Sequence, residues 1–209
     1  FDYFRTQFAQ QMVVDYEHHL NQIDFYALDG NRSFTDNYQL DFSVDPVERF
    51  NITATFRYTN AKIELKGSEA PVEKPMTSRF KGVLNLQYAT NLNKWIFDFT
   101  ASLNGSCRVY NFMEGLKDAD GNLLYKDGRT PVYPLLYAQV TRRFKGWDVY
   151  IGAENLTNFR QKNVILGSVK DQNGYVNAFQ PSFDASCVWG PLMGIKAHIG
   201  FRFTLWKKA

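Results

Sequence analysis

Few residues in this sequence have the type and spacing of a catalytic or metal site. His18 and His19 are adjacent. Neighbouring residues of a strand point to opposite faces, so the two imidazoles are poorly placed to hold one metal ion or a heme iron, and a solvated pair at a strand end is expected. His198 falls on the polar side of an alternating segment and reads as a hydrogen-bonding histidine. Asp118-Ala119-Asp120-Gly121-Asn122 opens like a calcium loop, but Arg129 stands where the bidentate glutamate should follow, and a polar turn at a loop tip is expected instead. Ser, His and Asp are all present without a nucleophile elbow or metal-ligand spacing. The expectation is therefore no catalytic residue, no metal and no cofactor. Cys107 and Cys187 make one possible pair, too few for a disulfide-built scaffold. The sequons at Asn51, Asn104 and Asn155 lie in or at the ends of expected strands and are read as chance.

The elements that must carry these residues repeat with a period of two. In the stretch from Arg49 to Asn60, Phe50, Ile52, Ala54, Phe56 and Tyr58 fall on one face, with Asn51, Thr53, Thr55, Arg57 and Thr59 on the other. A helix would mix these sets. The pattern recurs at Phe80, Gly82, Leu84, Leu86 and Tyr88, at Trp95, Phe97, Phe99, Ala101 and Leu103, and from Ile195 to Leu205. Weaker alternation runs through Tyr38 to Val44, Leu136 to Val140 and Trp147 to Ala153. The opening segment, Phe4 to Tyr16, reads as a strand with Phe4, Phe8, Met12, Val14 and Tyr16 on one side. Together these make about eight antiparallel strands, each near the ~9–11 residues that cross a bilayer when tilted.

Composition narrows the class. Net charge is +3 and the 24 Lys and Arg form no dense run, which excludes a nucleic-acid partner. No stretch approaches the roughly 18 apolar residues of a spanning helix, and mean hydropathy is −0.37. That average is blind to spanning strands, which alternate lipid-facing apolar with water-facing polar residues. The aromatic content of 16%, with 18 Phe and 12 Tyr, exceeds what a soluble core of this size accommodates and suits an apolar belt edged by aromatic rings. Phe1 to Arg5 have no signal-peptide pattern. Links are short at Asp45-Pro46-Val47-Glu48, Asn91-Leu92-Asn93 and Lys145-Gly146, and long at 18–33, 65–78, 106–132 and 159–193. Short turns on one side and long loops on the other is the asymmetry of bacterial outer-membrane barrels, with Trp206 ending the last strand at the periplasmic interface. A soluble sandwich or lipocalin-like barrel also alternates. Against it stand the aromatic faces and the charges opposite them: Arg57, Lys81, Asp98, Arg143 and Glu154.

The stretch Trp147-Asp148-Val149-Tyr150-Ile151-Gly152-Ala153-Glu154-Asn155-Leu156-Thr157-Asn158 resembles the penultimate barrel strand of TonB-dependent receptors, with its Gly-x-x-Asn-Leu-x-Asn pattern. Phe183 to Ser186, Val188-Trp189-Gly190-Pro191 and Gly200 to Phe203 are similar to the final loop and strand of one subgroup, which Glu73-Lys74-Pro75 and Asn93 to Asp98 also resemble. The resemblance is strongest over 147–205. It implies an all-β, antiparallel transmembrane barrel of 22 strands around a plug, of which residues 1–209 would be the C-terminal portion, without the plug. It further implies location in the outer membrane of a Gram-negative bacterium and active import of a scarce or bulky nutrient: an iron chelate, heme, cobalamin, a glycan or a peptide. The implied partners are outer-membrane lipid, the TonB-ExbB-ExbD system acting through the plug, the transported solute and a surface lipoprotein.

In that frame Arg57, Lys81, Asp98, Glu154 and Arg202 face the lumen. Tyr110, Phe112, Tyr125, Tyr133, Tyr175 and Phe179 in the long loops are the substrate-contact candidates, because aromatics dominate binding surfaces, although they can equally pack the loops together. Cys107 and Cys187 both fall in extracellular loops, where a disulfide would persist; bridged and unbridged forms both fit. The alternative from another class is a self-contained eight-stranded barrel with a structural or adhesive role. The many Thr, Ser, Asn and Gln at inward positions suit a wide wet wall better than a narrow packed core.

Overall fold

The computed structural model describes residues 1–19, 22–30, 32–117, 121–161, 165–166, 182–183 and 187–204. Its strands are β1 (Asp2–Gln7), β2 (Gln10–His19), β3 (Gln22–Asp29), β4 (Phe34–Val47), β5 (Phe50–Ile63), β6 (Val72–Glu73), β7 (Phe80–Ala89), β8 (Trp95–Asn104), β9 (Tyr133–Phe144), β10 (Trp147–Glu154), β11 (Ile165–Leu166), β12 (Ser182–Phe183) and β13 (Lys196–Phe203). The chain is all-β and every pairing is antiparallel. One sheet dominates, in the order β1-β4-β5-β7-β8-β9-β10-β13, with β6 added beside β5. Its path is open, ending at β1 and β13.

Register keeps the two faces chemically distinct across the whole sheet. One row runs Val44, Ile52, Leu86, Phe99, Ala138, Ala153 and Ala197, each opposite the next. The row beside it, on the other face, runs Ser43, Thr53, Asn85, Thr100 and Tyr137. A slip of one residue in any pairing would interleave the two sets.

Aromatic residues edge the apolar face at both ends. At the turn end Trp95 stacks near Phe97, which stacks near Tyr88, and Phe144 lies 4.1 Å from Trp147. At the loop end Tyr38 meets Tyr3 and Tyr58, and Phe56 stacks with Phe80. Charges on this face keep to the edges: Arg142 lies over the Trp95 ring at 4.7 Å, and Arg5 pairs with Asp36 at 3.5 Å. Between the edges the face is uncharged, and Leu40, Phe42, Phe56, Ile151, Ile199 and Phe201 are exposed. Phe50 and Tyr58 bracket this band on β5. At ~3.4 Å per residue they stand about 27 Å apart along the strand, or roughly 20 Å along the membrane normal at a tilt of ~40°.

Turn chemistry explains the short connections. Arg49 adopts φ 68° between β4 and β5, and Gly146 takes φ 85° between β9 and β10, where a residue without Cβ is unstrained. Pro46, expected within the turn Asp45 to Glu48, lies in β4, which runs on to Val47; the register shifts there between Val44 and Val47, so the missing N–H is absorbed by a bulge. The opening segment differs from expectation. The strand expected from Phe4 to Tyr16 breaks at Phe8 and Ala9, where Phe8 N–H donates to the Ser33 carbonyl at 3.0 Å, and its second half pairs with β3 as a separate two-stranded hairpin. Phe4 pairs with Asn37 on the polar face; Tyr3, opposite Tyr38, is the residue on the aromatic side.

Glycines on the polar face make room for rings on the neighbouring strand. Tyr150 lies opposite Gly200 and His198 opposite Gly152. A Cβ at Gly200 would come within 2.5 Å of the Tyr150 ring, and one at Gly152 within 2.6 Å of His198 Nε2. Gly200→Ala is expected to cost about 1–3 kcal/mol, because the ring must leave its place. The cost should shrink when Tyr150→Ala is made in the same chain, a difference that urea unfolding of the single and double variants measures.

Candidate functional site

The five charged residues expected on the wet side share the polar face. Gln87 Nε2 donates to Asp98 Oδ1 at 2.8 Å, and Arg57 donates through Nε and Nη2 to Gln39 Oε1 at 3.0 and 2.7 Å. Lys81 lies directly opposite Arg57, Glu154 opposite Lys196, and Arg202 opposite Asp148, which forms an ion pair with Arg143 Nε at 3.5 Å. Bonds between neighbours, such as Asn85 Nδ2 to Thr100 Oγ1 at 2.8 Å, link side chains along this surface.

The buried hydrophobic cluster lies beyond the loop end of the sheet. Val109, Tyr110, Met113, Tyr125 and Cys187 form it, with Tyr16, Met76, Phe112, Leu116, Leu124 and Trp189 packed around them. Beside it Tyr133 stacks on Phe159 at 4.4 Å and donates its hydroxyl to the Trp189 carbonyl at 3.1 Å. Of the loop aromatics proposed to contact solute, Tyr110, Tyr125 and Tyr133 are therefore buried in loop packing, and Phe112 is half-buried against the cluster. Tyr175 and Phe179 lie outside the described residues, as do Asp118, Asp120 and Trp206. Cys107 and Cys187 are both buried, and no disulfide joins them. Burial pushes the Cys107 thiol above its usual range, and its sulfur lies 3.4 Å from Thr130 Oγ1, an environment that suppresses thiolate chemistry.

A charge network ties three loops together beside the cluster. Glu17, from the β2–β3 hairpin, pairs with Arg108 and accepts the Asn111 N–H at 2.8 Å. Arg108 Nε donates to the Glu73 carbonyl at 2.8 Å, and the Glu73 carboxylate accepts Arg129 at 2.9 and 3.0 Å and also pairs with Arg79. Burial alone would raise the Glu73 pKa, but hydrogen bonds and charge from Arg129 and Arg79 outweigh it and bring the group from 4.5 to about 2. The folded value lies below the unfolded one, so the contribution is complete above pH 4.5 and is lost as pH falls towards about 2. Protease nicking of the 105–132 loop should accelerate across that window, and Glu73→Gln should remove the dependence while raising nicking at neutral pH.

Two side chains organise the loop ends of β10 and β13. Asn155, at φ 52°, donates through Nδ2 to the carbonyls of Phe159 at 2.8 Å and Met193 at 3.0 Å; its Oδ1 accepts Phe159 N–H at 3.1 Å and Thr157 Oγ1 at 2.9 Å. Gln161 holds the other segment: its Oε1 accepts Trp189 N–H and Gly190 N–H at 2.8 and 3.0 Å, and its Nε2 donates to the Cys187 carbonyl at 3.2 Å. Between these strands and residues 191–194 lies an open recess of about 280 Å³ lined by Tyr137, Glu154, Leu192, Met193 and Lys196. That is smaller than the ~300–1,000 Å³ typical of small-molecule sites. The described residues thus offer a patterned surface and a rigid loop cap, and a complete pocket for a bulky ligand would need further walls.

Sequence reading passed over Glu17, Glu73, Arg108 and Arg129 as a group. Glu17 and Arg108 stand 91 positions apart, and no local pattern marks their pairing.

No protein-family model matches the chain, and no curated protein matches it. Among solved structures it is similar to the closed form of the ferric-catecholate import receptor Fiu from E. coli K12, with 16% identity and a TM-score of 0.47 over 66% of this chain. The match spans 19% of that receptor's chain.

Proposed function

We propose that this chain forms consecutive strands in the wall of an outer-membrane β-barrel, and that the polypeptide containing it imports a scarce or bulky nutrient in the manner of TonB-dependent receptors. The observation that carries the wall is the register: six successive pairings in the main sheet, from β4 to β13, keep an aromatic-edged face, uncharged between its edges, on one side and a hydrogen-bonded polar face on the other. In water such a face would be a large exposed apolar patch; against lipid it is the expected surface, with the polar face towards a water-filled lumen. The importer reading is supported by the likeness of Trp147 to Asn158 and of the 188–191 segment to such receptors, since Asn155 and Trp189 are the residues that knit these loop ends together. In this reading solute meets the polar face and the loop cap, and energy reaches the chain through a plug and the TonB system.

The test is fractionation of the natural protein. It should sediment with outer membranes, require detergent for extraction, and show an intact mass several times 24.2 kDa. Recovery in aqueous buffer without detergent would overturn the membrane wall. A detergent-extracted species near 24.2 kDa would overturn the importer.

A further inference from the structure

We propose that Arg57, Lys81 and Asn104, side by side on the polar face, form a binding site for an oxyanion: a carboxylate or phosphate group. Register places Arg57 opposite Lys81, and Lys81 opposite Asn104. Like charges directly opposite one another on a sheet are destabilising unless something lies between them. The nearby acids make their hydrogen bonds elsewhere, although the Asp41 charge still acts on Arg57. Asp41, the next residue but one along β4 from Gln39, takes the Gln39 amide at 2.8 Å and the Thr55 hydroxyl at 2.7 Å. Glu73 is occupied by Arg79 and Arg129. Arg57 spends Nε and Nη2 on the neutral oxygen of Gln39, and Lys81 is exposed with no partner among the described residues.

The third member is an independent sign. Asn104 Nδ2 is buried and has no hydrogen-bond acceptor among the described residues. A buried amide donor left unmade costs on the order of 1–3 kcal/mol, a penalty that an acceptor between Lys81 and Asn104 would remove. Two cations and an unused N–H donor on adjacent strands are complementary to an oxyanion, which takes a point charge from lysine, a directional fork from arginine and a neutral donor together. The inference rests on the polar face being open to water, as the wall reading has it.

The anion can come from solution, as solute or free ion, or from a carboxylate elsewhere in the same polypeptide. The natural protein in neutral detergent is melted with inorganic phosphate or with chloride at matched ionic strength, beside Lys81→Gln and the charge-keeping Lys81→Arg. With an anion from solution, phosphate raises the wild-type midpoint by about 5 °C; Lys81→Arg keeps most of that rise and Lys81→Gln loses it. With a carboxylate from the chain, phosphate moves none of the proteins, Lys81→Gln lowers the midpoint by a similar amount, and Lys81→Arg largely restores it. The proposal is overturned if phosphate shifts wild type and Lys81→Gln equally. It is also overturned if phosphate shifts neither and Lys81→Gln leaves the midpoint unchanged or raised, as relief of repulsion alone would give. These readouts do not depend on how the protein fractionates, so failure of the site and failure of the membrane reading are separable.

Discussion

Leu84→Arg is expected to lower stability in a phospholipid bilayer by about 2–4 kcal/mol, and Val83→Arg, one residue away, to change it by less than about 1 kcal/mol. The two sites share a strand and differ little in apolar character, so the face is the variable. Leu84 pairs with Ala54 and Ala101 on the aromatic-edged side, midway between Phe80 and Tyr88, whereas Val83 pairs with Thr55 and Ser102. A guanidinium at Leu84 must be desolvated in hydrocarbon or thin the bilayer locally; at Val83 it remains in water beside hydroxyls. Moving the charge to Tyr88, at the aromatic edge, should bring the cost to about 0–1 kcal/mol, because depth sets the penalty. Reversible urea unfolding in vesicles measures all three. Equal costs at Leu84 and Val83 would refute the lipid-facing assignment, and a larger cost at Val83 would exchange the faces.

Asn155→Ala should destabilise the protein by about 3 kcal/mol and expose the 155–161 and 191–195 segments to protease. The alanine removes every side-chain bond that Asn155 makes and leaves the Phe159 and Met193 carbonyls and the Phe159 amide without those partners. Each buried group stranded in this way costs about 1–3 kcal/mol, partly recovered from water at a loop end. Alanine also disfavours the left-handed backbone found at φ 52°, so Asn155→Gly should be milder by roughly 1 kcal/mol despite losing the same bonds. Asn155→Asp keeps the acceptor and loses both donors, and should fall between wild type and alanine. Indifference to all three substitutions would show that the loop ends are held by the Tyr133, Phe159 and Trp189 rings rather than by the amide.

How legible the molecule was from its residues follows from the range of each interaction. The strands around Phe50 to Tyr58, Phe80 to Tyr88 and Trp95 to Leu103 were readable because a period of two is imposed by the pleat, whatever the neighbours do. The separation of Arg57, Lys81, Asp98, Glu154 and Arg202 from the aromatic side was readable for the same reason, and the alternation of short turns with long links followed from the spacing between those runs. The opening strand was misread because its alternation continues through Phe8 and Ala9, where only the pairing partner changes, from β4 to β3. A change of partner leaves no mark in the sequence of one strand.

The amino-acid sequence by itself determined an all-β antiparallel chain with one aromatic and one polar face, since both properties come from residue type and parity along each strand. Tertiary structure alone decided what the loops do. Tyr110, Tyr125 and Tyr133 could have been offered to a ligand or packed together, and they are packed, because Cys187 arrives from a distant position beside Tyr110, Tyr125, Val109 and Met113, and Phe159 and Trp189 do the same beside Tyr133. Pairing Glu17 with Arg108, opposing Lys81 to Arg57 and seating Tyr150 over Gly200 likewise depend on register between strands and on loop closure. Those contacts are set by the net balance of every pairing in the sheet, a cooperative quantity that no local run of residues contains.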